Sequence, residues 1–377
     1  MPTISLHGVT KAYRDRERGH VPALDGLDLV LPGAAVTVLT GPAGCGTTAV
    51  LRVIAGLDPI DAGQVRFDDT DMTAVPTHER DIALVTAESP LYPGLTVRAQ
   101  LAEALQFRTP DRADAGERVL AEARALGLEP VLDRSPHQLA AGARQRLALG
   151  RALVRSPSVV LLDDPLNALD AGERARLRAD LTRLWGHLGA TVVYVTRDMT
   201  EAMAIADQIA FLDAGRLVQM DTPEVCYHRP ATAVVASLVG GRISRLIDAE
   251  VRPEGLRIGA VDMPLGAGQQ RAIGNRHRVL VDVRATNVRA GPDAGPSDGV
   301  PIAVTVERIG GAGPVWDLEV ALEPGGPSAP RLLAQVPPAT PLRPGDAMIV
   351  RLDVGACSMF DVDDGRALHH GRVHGPA

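Results

Sequence analysis

Short unbroken apolar runs alternate with longer amphipathic stretches through the first part of the chain, and the pattern changes after about residue 240. Val36-Thr37-Val38-Leu39-Thr40 runs straight into Gly41-Pro42, which predicts a buried strand entering a tight loop. A helix is expected from about 47 to 55, stopping at Gly56, and residues 99–153 carry helical periodicity rich in Ala, Leu, Arg and Glu. Residues 159–162 and 191–196 repeat the continuous apolar type. Such strands, separated by helices, indicate a parallel sheet covered on both faces. Beyond 240 the runs become short and strand-like (279–283, 302–306, 315–320, 348–352), divided by Pro/Gly clusters at 291–299 and 324–330. That pattern predicts a small all-β domain at the C-terminus. No internal repeat is present.

A length of 377 residues allows two or three domains, the first with its own core. With only 3% aromatic residues, that core must be built from Ala, Val, Leu and Ile. The net charge of −7 argues against nucleic acid as a partner. Lys11 is the only lysine, and all other fixed positive charge is arginine. Cys45, Cys226 and Cys357 lie far apart, with neither disulfide nor metal spacing, which suits a reducing compartment. No leader-like segment follows Met1 and no uncharged apolar run is long enough to span a bilayer, so the expectation is a soluble chain that reaches a membrane only through a partner.

The candidate chemistry begins at Gly41-Pro42-Ala43-Gly44-Cys45-Gly46-Thr47-Thr48, between a strand and a helix. A phosphate-binding loop needs that setting, with backbone N–H groups and a helix N-terminus aimed at phosphate oxygens. The full pattern ends G-K-[S/T], and here Thr47 stands at the lysine position. By itself this glycine-rich turn is equally compatible with a purely structural role. Val159-Val160-Leu161-Leu162-Asp163-Asp164-Pro165 is an apolar strand ending in two acids, which suits a magnesium-positioning carboxylate followed by a second one. Upstream lies 136–153 with Leu139-Ala140-Ala141-Gly142-Ala143-Arg144-Gln145-Arg146; downstream come Asn167-Ala168-Leu169-Asp170 and Tyr194-Val195-Thr196-Arg197-Asp198.

These motifs, in this order, resemble the ATPase subunits of bacterial ABC importers, especially those serving sugar, polyol and glycerol-phosphate uptake. The resemblance covers about residues 3–240, and the β-rich remainder fits that subfamily's regulatory domain. It implies that Tyr13 stacks on adenine, that Gly41, Gly44 and Gly46 let backbone approach phosphate, and that residues 41–48 and Gly142 contact ATP. It further implies that Thr48 and Asp163 hold Mg²⁺, and that Asp170 belongs to a loop crossing a dimer interface. The plain structural readings are a surface tyrosine for Tyr13, a strand-end acid for Asp163 and a helix cap for Asp170.

Several positions depart from the family pattern, and they coincide with the groups that do chemistry. Thr47 replaces the lysine that pairs with the β- and γ-phosphates, and charge-assisted phosphate contacts contribute about 1.5–3 kcal/mol each. Ala87 replaces the glutamine that senses the γ-phosphate. Ala140, Ala141 and Ala143 replace the serine, first glycine and glutamine of the signature loop, leaving Gly142. Asp164 replaces the glutamate that polarises the attacking water, and Arg197 replaces the histidine at the γ-phosphate. Arg197 is a possible surrogate cation, since a guanidinium binds phosphate bidentately. In the C-terminal part, 283–286 reads Val-Arg-Ala-Thr near the family's Arg-Pro-Glu, and His369, His370 and His374 read more simply as a solvated tail than as metal ligands.

The expected architecture is an α/β P-loop ABC-type nucleotide-binding domain over 1–240 with a helical subdomain at about 88–155. An all-β oligomer-binding-like domain follows at 241–377. The expected function is to drive or gate solute import by binding ATP and Mg²⁺ at a dimer interface, with hydrolysis impaired. Expected partners are two membrane-spanning permease subunits, a second copy or a paralogous ATPase, and indirectly an external solute-binding protein, at the cytoplasmic face of the plasma membrane. The segment 87–97 is the expected docking site for the permease. A degenerate partner of a competent paralogue and a regulatory scaffold remain as alternatives.

Overall fold

The computed structural model describes residues 1–15, 19–86, 89–105, 112–290, 299–310, 315–323, 329–337 and 340–372. The chain forms two compact units, Met1–Pro223 and Glu224–Ala377. The division falls ahead of the composition change near 240 because the apolar helix Ala233–Gly240 buries Ala233 and Ala236 against Phe360 of the second unit.

In the first unit, a six-stranded sheet runs in the order 216–221, 208–213, 36–40, 191–195, 159–163, 82–86. The three strands read from the sequence lie side by side in its middle, parallel, with Val36 opposite Val192 and Val159 opposite Thr191. All five residues of 36–40 and of 191–195 are buried, as continuous apolar runs require in a doubly covered sheet. Register places Asp163 beside Val195 and Thr86, so Thr40, Asp163 and Thr86 all end at the same carboxyl edge, where open α/β sheets bind ligands.

A second, antiparallel sheet of Ile4–Asp15, Gly19–Leu31, Ala62–Phe67 and Thr70–Asp71 packs over the helix Thr47–Ile54. That helix buries Val50, Leu51, Val53 and Ile54 in one core with Leu6, Leu29, Leu161 and Val193. The helical stretch expected at 99–153 is three helices, Val97–Leu105, Arg112–Ala125 and Ala141–Leu153, with a separate core around Leu101, Leu105, Ala123 and Leu147.

The second unit pairs a six-stranded antiparallel sheet with a closed five-stranded barrel ordered 288–290, 331–336, 316–322, 300–310, 347–352. The two share one apolar core, including Val281, Val304, Val320 and Met359. Full closure leaves this barrel without exposed strand edges. His369 ends the edge strand Ala367–His369, paired with Met359, rather than lying in a solvated tail; His374 falls outside the described residues.

Candidate functional site

The loop after Thr40 is shaped by backbone contacts from three directions. A Cβ at Gly41 would lie 2.1 Å from the Leu212 carbonyl oxygen, and one at Gly46 would lie 2.3 Å from that of Ala23. Gly44 and Gly46 adopt φ of 81° and 106°, a left-handed region open to glycine at little cost. The Cys45 amide donates to the Pro42 carbonyl at 3.0 Å, and the Gly215 amide donates to the Cys45 carbonyl at 3.0 Å. The helix Thr47–Ile54 then opens with no side-chain cap among the described residues, and the first N–H groups of a helix have no intrahelical partner. Around this turn lies a cavity of about 330 Å³ lined by Tyr13, the loop residues, Arg52, Thr196 and Arg197.

From the cavity wall the Thr48 hydroxyl donates to Asp163 Oδ1 at 3.3 Å. Burial raises the Asp163 pKa above the usual carboxylate range, opposed by the Thr48 bond and by Arg52 and Arg197. Asp164 is raised by burial and then by its neighbour Asp163. Its backbone takes φ of 48°, held by the Asp164 amide donating to the Val195 carbonyl at 2.9 Å.

Arg197 follows strand 191–195 and is exposed at the cavity. Its flanks are fixed by a buried network: the Tyr194 and Thr196 hydroxyls donate to Glu201 Oε2 at 2.9 and 3.0 Å, and Asp198 caps the next helix through the amides of Thr200 and Glu201. Arg174 Nη1 lies 3.5 Å from Asp198. Burial raises Glu201's pKa despite the two donors.

Tyr13 also lines the cavity, 37% exposed. Its hydroxyl donates to Asp58, which Arg52 holds through two nitrogens at 2.8 and 2.9 Å. Burial, with the Asp58 bond, pushes the phenol pKa up to about 12, while Arg52 draws Asp58 below the usual range. Lys11 Nζ sits 5.4 Å from the Tyr13 ring centroid.

Tyr13, Gly41, Pro42, residues 44–48 and Arg197 therefore meet around one cavity. Asp163 is joined to it through Thr48, while Ala43 and Asp164 are not among its lining residues. Gly142 and Asp170 are not among its lining residues. Gly142 lies in the first turn of helix Ala141–Leu153, where a Cβ would stand 3.0 Å from Glu173 Oε1. Asp170 caps the helix Ala171–Leu188, accepting from the Glu173 amide at 2.8 Å. Ala87 lies outside the described residues. The contribution of Arg52 was not legible, because its role rests on a partner, Asp58, that only the fold brings under Tyr13.

A glycine loop joining a central parallel strand to a helix, with a strand-end carboxylate facing the helix's second threonine, defines a P-loop nucleotide-binding cassette. The ABC transporter family profile matches residues 24–167. The xylose/arabinose import ATP-binding protein of Haloferax volcanii is 39% identical over 77% of this chain and 76% of its own length. The sn-glycerol-3-phosphate import ATP-binding protein 1 of Rhizobium johnstonii is 34% identical over 98% of this chain and 97% of its own. A solved dimeric, post-hydrolysis ATP-binding cassette bound to ADP and Pi superposes with a TM-score of 0.53 and 27% identity, covering 58% of this chain and 98% of that one. The chain belongs to the ABC transporter ATP-binding family. Among the described residues, no helix is long and apolar enough to cross a membrane.

Proposed function

We propose that this chain is the ATP-binding subunit of an importer for a sugar or a related polyol or glycerol-phosphate solute, and that its ATP hydrolysis is impaired. The names of its relatives support the solute class, and their importer role supports two permease subunits as partners at the cytoplasmic face. The observation that carries the second half is the contrast at residues 46–48. The glycine cradle is intact, yet Thr47 offers a hydroxyl where phosphate needs a cation, and the guanidinium nearest in sequence, Arg52, is already committed to Asp58.

In this reading Tyr13 stacks on the base, the amides of 41–48 cradle the phosphates, and the Gly142 and Asp170 loops face the second subunit. Thr48 and Asp163, a hydroxyl and a carboxylate converging within 3.3 Å, fit the oxygen ligands magnesium takes and would hold it. When bound, magnesium neutralises charge on the phosphate oxygens. Asp164 offers a carboxylate for the attacking water but is shorter than glutamate by one methylene, and a displacement on the order of 1 Å costs about a hundredfold in rate. Arg197 is placed to lend charge to the terminal phosphate.

Binding of a fluorescent ATP analogue with Mg²⁺, alongside steady-state ATPase in the same samples, tests this reading. Micromolar binding without turnover supports it. Turnover that disappears in Asp163→Asn overturns the impairment.

A further inference from the structure

The second unit holds a cavity of about 340 Å³ that shares no lining residue with the nucleotide cradle. Its wall includes Tyr227, His228, Arg284, Thr286, Arg289 and Arg372. Arg284, at the end of strand 278–284, is 8% exposed. Its Nε donates to Asp282 at 3.0 Å, and its guanidinium carbon stacks 4.1 Å from the Tyr227 ring centroid. Its two terminal nitrogens donate to nothing among the described residues. Asp282, the carboxylate in this wall, accepts from the Ser244 hydroxyl on one oxygen and from Arg284 on the other.

Arg284 is almost wholly buried, and its open donors meet the outside only at the cavity wall, which favours an occupant able to accept from them. The surrounding groups are donors as well. Arg372 reaches Asp353 only at 3.7 Å and keeps 75% of its side chain exposed, Arg289 lines the same wall, and the exposed Thr286 adds a hydroxyl. Planar guanidinium forks match the paired oxygens of phosphate.

We propose that this cavity binds a phosphate group, free or carried on a small metabolite, giving the β-rich unit a ligand of its own. The test is calorimetric titration of the full chain with inorganic phosphate and, in parallel, glycerol 2-phosphate, at fixed ionic strength. Thr286→Glu places a carboxylate in the wall and is expected to weaken phosphate at least tenfold, Arg372→Gln severalfold, while the fluorescent ATP analogue binds both variants as it binds the wild type. Tighter binding of the ester identifies a metabolite as the natural ligand; equal or tighter binding of inorganic phosphate identifies the free ion. No phosphate binding to the wild type at millimolar concentration overturns the proposal. So does an affinity that survives Thr286→Glu, which would place the ion elsewhere, for instance in the loop at 41–48. Should Thr286→Glu fail to fold, Arg372→Glu, on an exposed side chain, carries the same decision.

Discussion

The Tyr13 hydroxyl donates a 2.6 Å hydrogen bond to Asp58, so the aromatic wall of the nucleotide cavity is tethered to the turn just beyond the helix that opens at Thr47. Removing the hydroxyl in Tyr13→Phe keeps the ring and deletes the tether. The expected cost is about 1 kcal/mol of stability, read by chemical denaturation, with nucleotide affinity largely kept. Tyr13→Ala is expected to lose affinity as well, and equal affinities for the two variants would remove the ring from the site.

Restoring charge at the cradle should be measurable directly. Thr47→Lys is expected to tighten a fluorescent ATP analogue by roughly tenfold or more, since a charge-assisted contact contributes about 1.5–3 kcal/mol. Arg197→Ala is expected to weaken binding in the native background and to matter less when combined with Thr47→Lys. No change in Arg197→Ala or Arg197→His would exclude the surrogate role.

Helix Ala141–Leu153 starts at Ala140, whose backbone is extended (φ −63°, ψ 161°) and whose side chain has nothing to offer the free amides. Ala140→Ser is therefore expected to stabilise the first unit by about 1 kcal/mol, seen as a higher denaturation midpoint at constant slope. An unchanged midpoint would mean that another group already satisfies those amides.

Glu122 sits in helix Arg112–Ala125 with Oε1 buried and without a hydrogen-bond partner among the described residues, and burial pushes its pKa up to about 7 from 4.5. A carboxyl whose folded pKa exceeds its unfolded one holds its proton longer in the folded state. Stability is then greatest below pH 4.5, falls as pH rises, and has lost the whole contribution above 7. The shift corresponds to about 3 kcal/mol. Glu122→Gln is expected to flatten the decline in melting temperature between pH 5 and 8; an unaltered slope would place the titrating group elsewhere.

The sequence was most readable where burial is complete. Strands 36–40, 159–163 and 191–195 are covered on both faces and therefore announce themselves as unbroken apolar runs. The hairpin 4–15/19–31 is half exposed and alternates cleanly only over 27–31, too short a run to mark the whole of it, and it stayed hidden. Within the site, the glycine loop and Asp163 were legible because each lies at a strand end. The Tyr13–Asp58–Arg52 link was not, since Tyr13 and Asp58 are 45 residues apart and neither carries a local signal. The anion cavity of the second unit was hidden for the same reason: His228, Arg284 and Arg372 converge only after the sheet has paired.

The loop at 41–46 takes its shape from main-chain atoms: the Leu212 and Ala23 carbonyls crowd Gly41 and Gly46, and the Gly215 amide holds Cys45. None of these contacts consults the side chain at 47. A lineage could thus discard the catalytic cation and regain it with no unfolded intermediate between the two states. Mutational drift at this position would leave that main-chain frame standing, and such an architecture does not depend on the charge carried there.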